Sequence, residues 1–179
     1  MKRTLVLMVL VAALIFGSVA SASADVRLDF DVPWIVAAGL NVADVTGSST
    51  VNVNLTNLHI PLPCVELAYQ FGDGFLRGGI GVRAYTVLVE FVGWPMGYVE
   101  VALDRLILRA ELGGLGVFAF GVANGLLSTD FVAADLQAGY AVFPWLRLGA
   151  GVLIAAPPSN FSSNGWLFYV NARFAFDFK

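Results

Sequence analysis

The sequence predicts an all-β protein: an eight-stranded antiparallel up-and-down transmembrane β-barrel with its polar side chains inside. Three observations lead there. The first is a two-residue rhythm. Val26, Leu28, Phe30, Val32 and Trp34 alternate with Asp25, Arg27, Asp29, Asp31 and Pro33, and Phe168, Val170, Ala172, Phe174, Phe176 and Phe178 interleave with Tyr169, Asn171, Arg173, Ala175 and Asp177. A strand sends successive side chains to opposite faces, so each segment has one apolar and one charged face. The second is that 58 % of residues are hydrophobic, yet residues 25–179 contain no helical span. The longest uncharged apolar run, Leu112 to Leu127, is broken by glycines at 113, 114, 116, 121 and 125. In lipid only helices and closed barrels satisfy every backbone hydrogen bond. The third is a spacing of connections that alternates short and long.

Residues 1–24 are set apart. Lys2 and Arg3 precede an apolar run from Leu5 to Phe16, and Ala22-Ser23-Ala24 ends it. A run of about 12 residues is too short for the roughly 20 of a spanning helix. The pattern is that of a cleaved secretory signal peptide, leaving one barrel domain over 25–179. Beyond the leader, seven arginines and Lys179 face thirteen acids. No basic surface for nucleic acid is present. Cys64 is the one cysteine, so neither an internal disulfide nor a cysteine metal cluster can form.

Taken in order, the strands are expected at Asp25–Val36, Pro63–Phe71, Leu76–Phe91, Tyr98–Leu103, Leu106–Gly121, Phe131–Val142, Leu146–Ala156 and Trp166–Phe178. Gly72-Asp73-Gly74, Asp104-Arg105 and Phe143-Pro144-Trp145 are tight turns. The connections at 37–62, 92–97, 122–130 and 157–165 are read as the opposite, longer-looped rim. Within the first of these, Val51, Val53 and Leu55 alternate with Asn52, Asn54 and Thr56. That pattern fits a hairpin above the membrane or a short β segment, with Gly47-Ser48-Ser49 as its tip.

The alternation sends Arg27, Arg77, Arg83, Arg109, Arg147 and Arg173 inward with Asp29, Asp31, Glu66, Glu100, Glu111, Asp135 and Asp177. An eight-stranded barrel is only just wide enough for side chains, so these charges are expected to pair into a packed network. A narrow porin-like polar pathway is the competing reading. Inward Gly79, Gly81, Gly149 and Gly151 are expected to make room for the arginines. Trp34, Trp94 and Trp166 on the long-loop rim and Trp145 on the other are expected as aromatic girdles.

Catalytic, cofactor and metal sites are not expected. Gly79-Ile-Gly81 and Gly149-Ala-Gly151 lie mid-strand, without the helix or lysine of a nucleotide loop. His59 is the one histidine, and sequence places no nucleophile beside it.

On these residues the chain resembles the small eight-stranded outer-membrane β-barrels of Gram-negative-type bacteria. The most specific element is the last strand. Phe174, Phe176 and Phe178 look like the signal read by the outer-membrane assembly machinery, although Lys179 follows the final phenylalanine. The resemblance implies residence in the cell outer membrane after export, with outer-membrane lipid and the assembly machinery as partners. It does not choose among adhesins, anchors, channels and lipid-modifying enzymes. The expected role is non-enzymatic, structural or surface-interacting, with an extracellular ligand left open. The alternatives are a small channel or carrier for hydrophobic compounds, suggested by Leu115, Val117 and Leu153 on the inner face, and an envelope lipid hydrolase using His59. A soluble lipocalin-type barrel would need the opposite orientation.

Overall fold

A computed structural model describes residues 25–43, 50–72, 74–87, 90–121, 125–128, 132–157 and 164–178. The leader 1–24 and the Gly47-Ser48-Ser49 tip lie outside the described residues. Eleven strands are present: β1 (Asp25–Ala43), β2 (Thr50–Pro61), β3 (Cys64–Phe71), β4 (Leu76–Val87), β5 (Glu90–Leu103), β6 (Leu106–Gly114), β7 (Val117–Phe120), β8 (Gly125–Ser128), β9 (Val132–Phe143), β10 (Leu146–Ala156) and β11 (Asn164–Phe178).

Eight of them close a ring, in the order β1, β3, β4, β5, β6, β9, β10, β11 and back to β1. All these pairings are antiparallel. Closure runs from Val26 opposite Phe178 to Asn41 opposite Asn164. A closed sheet has no edge to satisfy. The remaining three strands are extensions above the ring: β2 pairs with the upper half of β1, β7 with the upper end of β5, and β8 with β7.

The polarity is inverted relative to a soluble barrel. Leu112 is 66 % exposed while the adjacent Glu111 is 4 % exposed. Arg27, Asp29 and Glu100 are wholly covered while Phe30, Leu67 and Ile80 lie on the outside. A lipocalin-type interior is thereby excluded. From Trp166 to Phe178 the outer row of β11 covers roughly 40 Å at about 3.3 Å per residue, or about 28 Å after a tilt of about 45°. That matches a hydrocarbon core of roughly 30 Å.

Three boundaries differ from the sequence expectation. Residues 92–97 are not a loop: β5 begins at Glu90 and pairs with β4 throughout. Gly93, Pro95 and Gly97 read as turn residues. Pro95 is tolerated because it falls opposite the break between β6 and β7, where β5 has no register partner. That break divides the expected fifth strand. Gly114 and Leu115 both have positive φ (131° and 64°), and Leu115 points out, 85 % exposed, instead of lining the lumen.

The third is the end of β1, which runs to Ala43 instead of Val36; with β2 it makes the first connection the hairpin that the Val51–Thr56 alternation fits. Ile35 pairs with Ile60 but Ala37 pairs with Thr56, so residues 57–59 bulge opposite Val36, with Asn57 at φ 59°. Below the hairpin the wall is stitched by Leu62 N–H to Pro33 C=O (2.7 Å) and Thr86 N–H to Pro63 C=O (2.8 Å).

Candidate functional site

The lumen holds two layers made from the same inward-facing positions. The lower layer is ionic. Arg83 donates from Nη1 to Asp135 (2.7 Å) and from Nη2 to Glu66 (3.0 Å), and Nη2 lies 2.8 Å from Glu111. Arg109 Nη2 bridges Glu66 and Glu111, and its guanidinium lies 3.6 Å from the centre of the Tyr98 ring. Arg27 donates to Asp29 (2.9 Å) and Gln70 (2.6 Å), and Arg147 to Glu100 (2.6 Å). Arg173 donates twice to Asp31, which also accepts from Asn171.

Six arginines (27, 77, 83, 109, 147, 173) therefore face six carboxylates (29, 31, 66, 100, 111, 135). Charge balance matters here, because desolvated ions without partners cost several kcal/mol each. Between Arg109, Arg147 and Arg173 a hollow of about 20 Å³ remains, room for about one water.

Two predicted members sit at the periphery. Arg77 keeps 25 % of its side chain exposed, 3.5 Å from Glu100. Asp177 lies on the inward face at the short-turn rim, where β11 ends; it is exposed and pairs with Arg27 at 3.9 Å.

Above the ions lies an apolar layer of Cys64, Tyr85, Trp94, Met96, Leu153 and Tyr169, all buried, with Leu62 and Leu167 packed on it. Tyr85 and Trp94 are tilted against each other at 5.2 Å. Tyr169 joins the layers, its hydroxyl donating to Asp135 (2.6 Å).

Trp94 is a correction: expected in the outer girdle, it lies inside, 7 % exposed. It pairs with Arg83 across β4 and β5, and paired residues share a face. The other three tryptophans lie outside. Trp145 stacks between Phe143 and Phe174, Trp34 is exposed, and Trp166 lies across Gly39, where a Cβ would meet its ring. Of the final phenylalanines, Phe176 and Phe178 are exposed on the outer face and Phe174 is partly covered by Trp145.

The inward glycines accommodate rings more than arginines. A Cβ at Gly79 would strike Tyr98, one at Gly151 would strike Tyr169, and one at Gly113 would strike Trp94. Tyr98, Tyr169 and Asn171 were not singled out from sequence, although they share parity with Glu100 and Arg173.

Above the apolar layer the lumen opens into a cup of about 420 Å³. Its wall comes from the upper ends of β1, β2, β10 and β11. Ala38 pairs with Leu167 and Leu55, Leu40 with Val53, and Leu153 with Leu167, which places all six side chains on the inner face. His59 is exposed on β2. Among the described residues no group of three or more His, Cys, Asp or Glu side chains is arranged to hold a metal.

This is an eight-stranded barrel turned inside out. Its architecture is that of the small outer-membrane barrels. No protein-family model matches the chain, and no curated protein matches it. Among solved structures it is similar to Neisserial surface protein A, at 13 % identity and a TM-score of 0.46, covering 86 % of this chain and 99 % of that one. It is also similar to the outer membrane protease OmpT from Escherichia coli, at 9 % identity and a TM-score of 0.39, covering 86 % and 97 %. The fold stands on the strand pairing and the inverted polarity, not on these likenesses.

Proposed function

We propose that the chain is an integral outer-membrane protein with a closed lumen. It is non-enzymatic, and it holds the β1–β2 hairpin and the neighbouring loops at the cell surface for interaction with an extracellular ligand. Residues 1–24 direct export, Phe174, Phe176 and Phe178 present the last strand to the assembly machinery, and Trp34, Trp145 and Trp166 seat the barrel at the two interfaces.

The observation that carries this reading is the filled lumen: paired ions below and an aromatic seal above leave no path for a hydrated ion. The hairpin supports the surface role. Residues 52–57 and 59–61 of β2 are exposed, so β2 adds little to the barrel's own packing. A hydrolase reading finds no support at His59, which lies out on this hairpin away from the buried carboxylates.

Planar-bilayer recording tests the proposal. Purified refolded protein should give no steady conductance above the bare bilayer, and a sizeable ohmic current would overturn the closed lumen. The apolar mouth favours holding a hydrophobic compound over passing one, because the floor beneath it is packed.

A further inference from the structure

The geometry points to a binding site in the mouth of the barrel: the cup above Leu153 and Leu167 takes the aliphatic chain of a membrane lipid whose headgroup stays outside. Three observations commit the site to that occupant. First, the cup is lined by aliphatic side chains and by Trp166 at its edge, and no lining residue is charged or carries a hydroxyl or amide side chain; the Trp166 indole N–H is the one side-chain donor in the lining. Leu40, Val53 and Leu55 are 50 %, 45 % and 52 % exposed there. A ligand with polar atoms at that depth would find no partner for them, whereas hydrocarbon needs none. At about 420 Å³ the space falls in the range of ordinary ligand pockets, roughly 300–1,000 Å³.

Second, the cup lies at the level of the upper aromatic residue of the outer face. Gly39 pairs with Trp166 on one side and with Asn54, between Val53 and Leu55, on the other. Trp166 also borders an apolar groove of about 380 Å³ on the outer face of the same wall, with Val152 and Ile154. Lipid chains on the outside and the cup on the inside are therefore separated by one strand layer.

Third, the wall beside the cup is interrupted. Among the described residues β2 pairs only with β1, while β4 and β5 close on each other at Val87 and Glu90. Among the described residues no strand continues the wall past Val53 and Leu55, which gives a chain a way in from the side at headgroup level. The cup is a dead end, since its floor packs on Trp94, Met96 and Tyr169.

The test is native mass spectrometry of the full refolded barrel with a series of lysophosphatidylcholines of increasing acyl length. A finite cup predicts one bound lipid per barrel. Affinity should rise about fourfold per added methylene and then reach a plateau once the cup is full. Ala155→Phe and Ala38→Phe, each of which fills the cup, should lower occupancy at least tenfold, while Val152→Phe on the outer groove leaves it unchanged. Heat-modifiable gel mobility and far-ultraviolet circular dichroism establish that each variant is folded.

Binding without a plateau, equal loss with Val152→Phe, or no change in either folded cup variant would overturn the site in favour of ordinary annular lipid. Binding of short n-alkanes with no binding of lysophospholipid would overturn the lipid source. A conducting pore that still bound one lipid would overturn the closed lumen and leave this site standing.

Discussion

The lower lumen and the mouth share β1, β10 and β11 and the same inward-facing alternation, yet they solve burial in opposite ways. Below, arginines and carboxylates are removed from water and must satisfy one another. Above, Ala38, Leu40, Leu153 and Leu167 need no partners and leave space. The difference separates what holds the barrel together from what is free to bind. A multiply connected ionic network is rigid because each member fixes several others. An apolar wall without partners tolerates change and accepts a guest.

The largest expected effect breaks the lower layer. Arg83→Met takes a cation from three carboxylates, Glu66, Glu111 and Asp135, which the guanidinium holds at 2.7–3.0 Å, leaving Arg109 to Glu66 and Glu111, and Tyr169 and Gln137 to Asp135. Removing one partner of a buried ionic group costs about 3–5 kcal/mol, and the three-way pairing puts this variant near the upper end. Urea unfolding of the barrel in lipid vesicles, followed by tryptophan fluorescence, measures it. A loss under about 1 kcal/mol would show that the network contributes little to stability.

Next comes the seal between the layers. Trp94→Ala opens a cavity above the ions and should cost about 3–4 kcal/mol. Gly113 has no Cβ to fill the space, since the indole occupies that position. The same unfolding assay reads the loss, and bilayer recording shows whether the ionic layer alone still blocks current. Tyr169→Phe probes the joint more gently. It keeps the ring and removes the hydroxyl that donates to Asp135, so about 1–2 kcal/mol should be lost.

Most of the lower layer was legible in the sequence because strand parity is unforgiving. Once Arg27 and Asp29 point inward, Asp31 must follow, and the pairing with β11 carries Arg173 with it. The mouth was harder to read. Gly93-Trp94-Pro95 looks like a turn, which hides the parity that runs from Glu100 and Tyr98 back to Trp94 and with it the place of the seal. Pro95 sits in a strand only because β6 and β7 part opposite it, a long-range circumstance that local sequence does not report. Leu115 shows the converse: the local pattern continues the alternation through Gly114-Leu115-Gly116, but positive φ at Gly114 and Leu115 interrupts it. Asp177 had the right parity, but the depth of a residue along a strand is set by where the neighbouring strands end.

The smallest effect on stability gives the sharpest comparison. Val53 and Leu55 lie on β2, a strand paired on one edge and exposed along nearly its whole length. Val53→Ser combined with Leu55→Ser removes apolar atoms that folding leaves about half exposed, so the unfolding free energy should move by no more than about 0.5 kcal/mol per site. If the mouth is a binding surface, the same double change makes one wall of the cup polar and should reduce lysophospholipid occupancy several-fold. Arg83→Met should show the reverse pattern in mild conditions where the barrel is still folded: a large loss of stability with occupancy retained. A double serine variant that unfolds the barrel would mean that β2 belongs to the structural layer. One that leaves both stability and occupancy unchanged would move the lipid contact away from β2, to the Leu40–Leu153–Leu167 side of the cup.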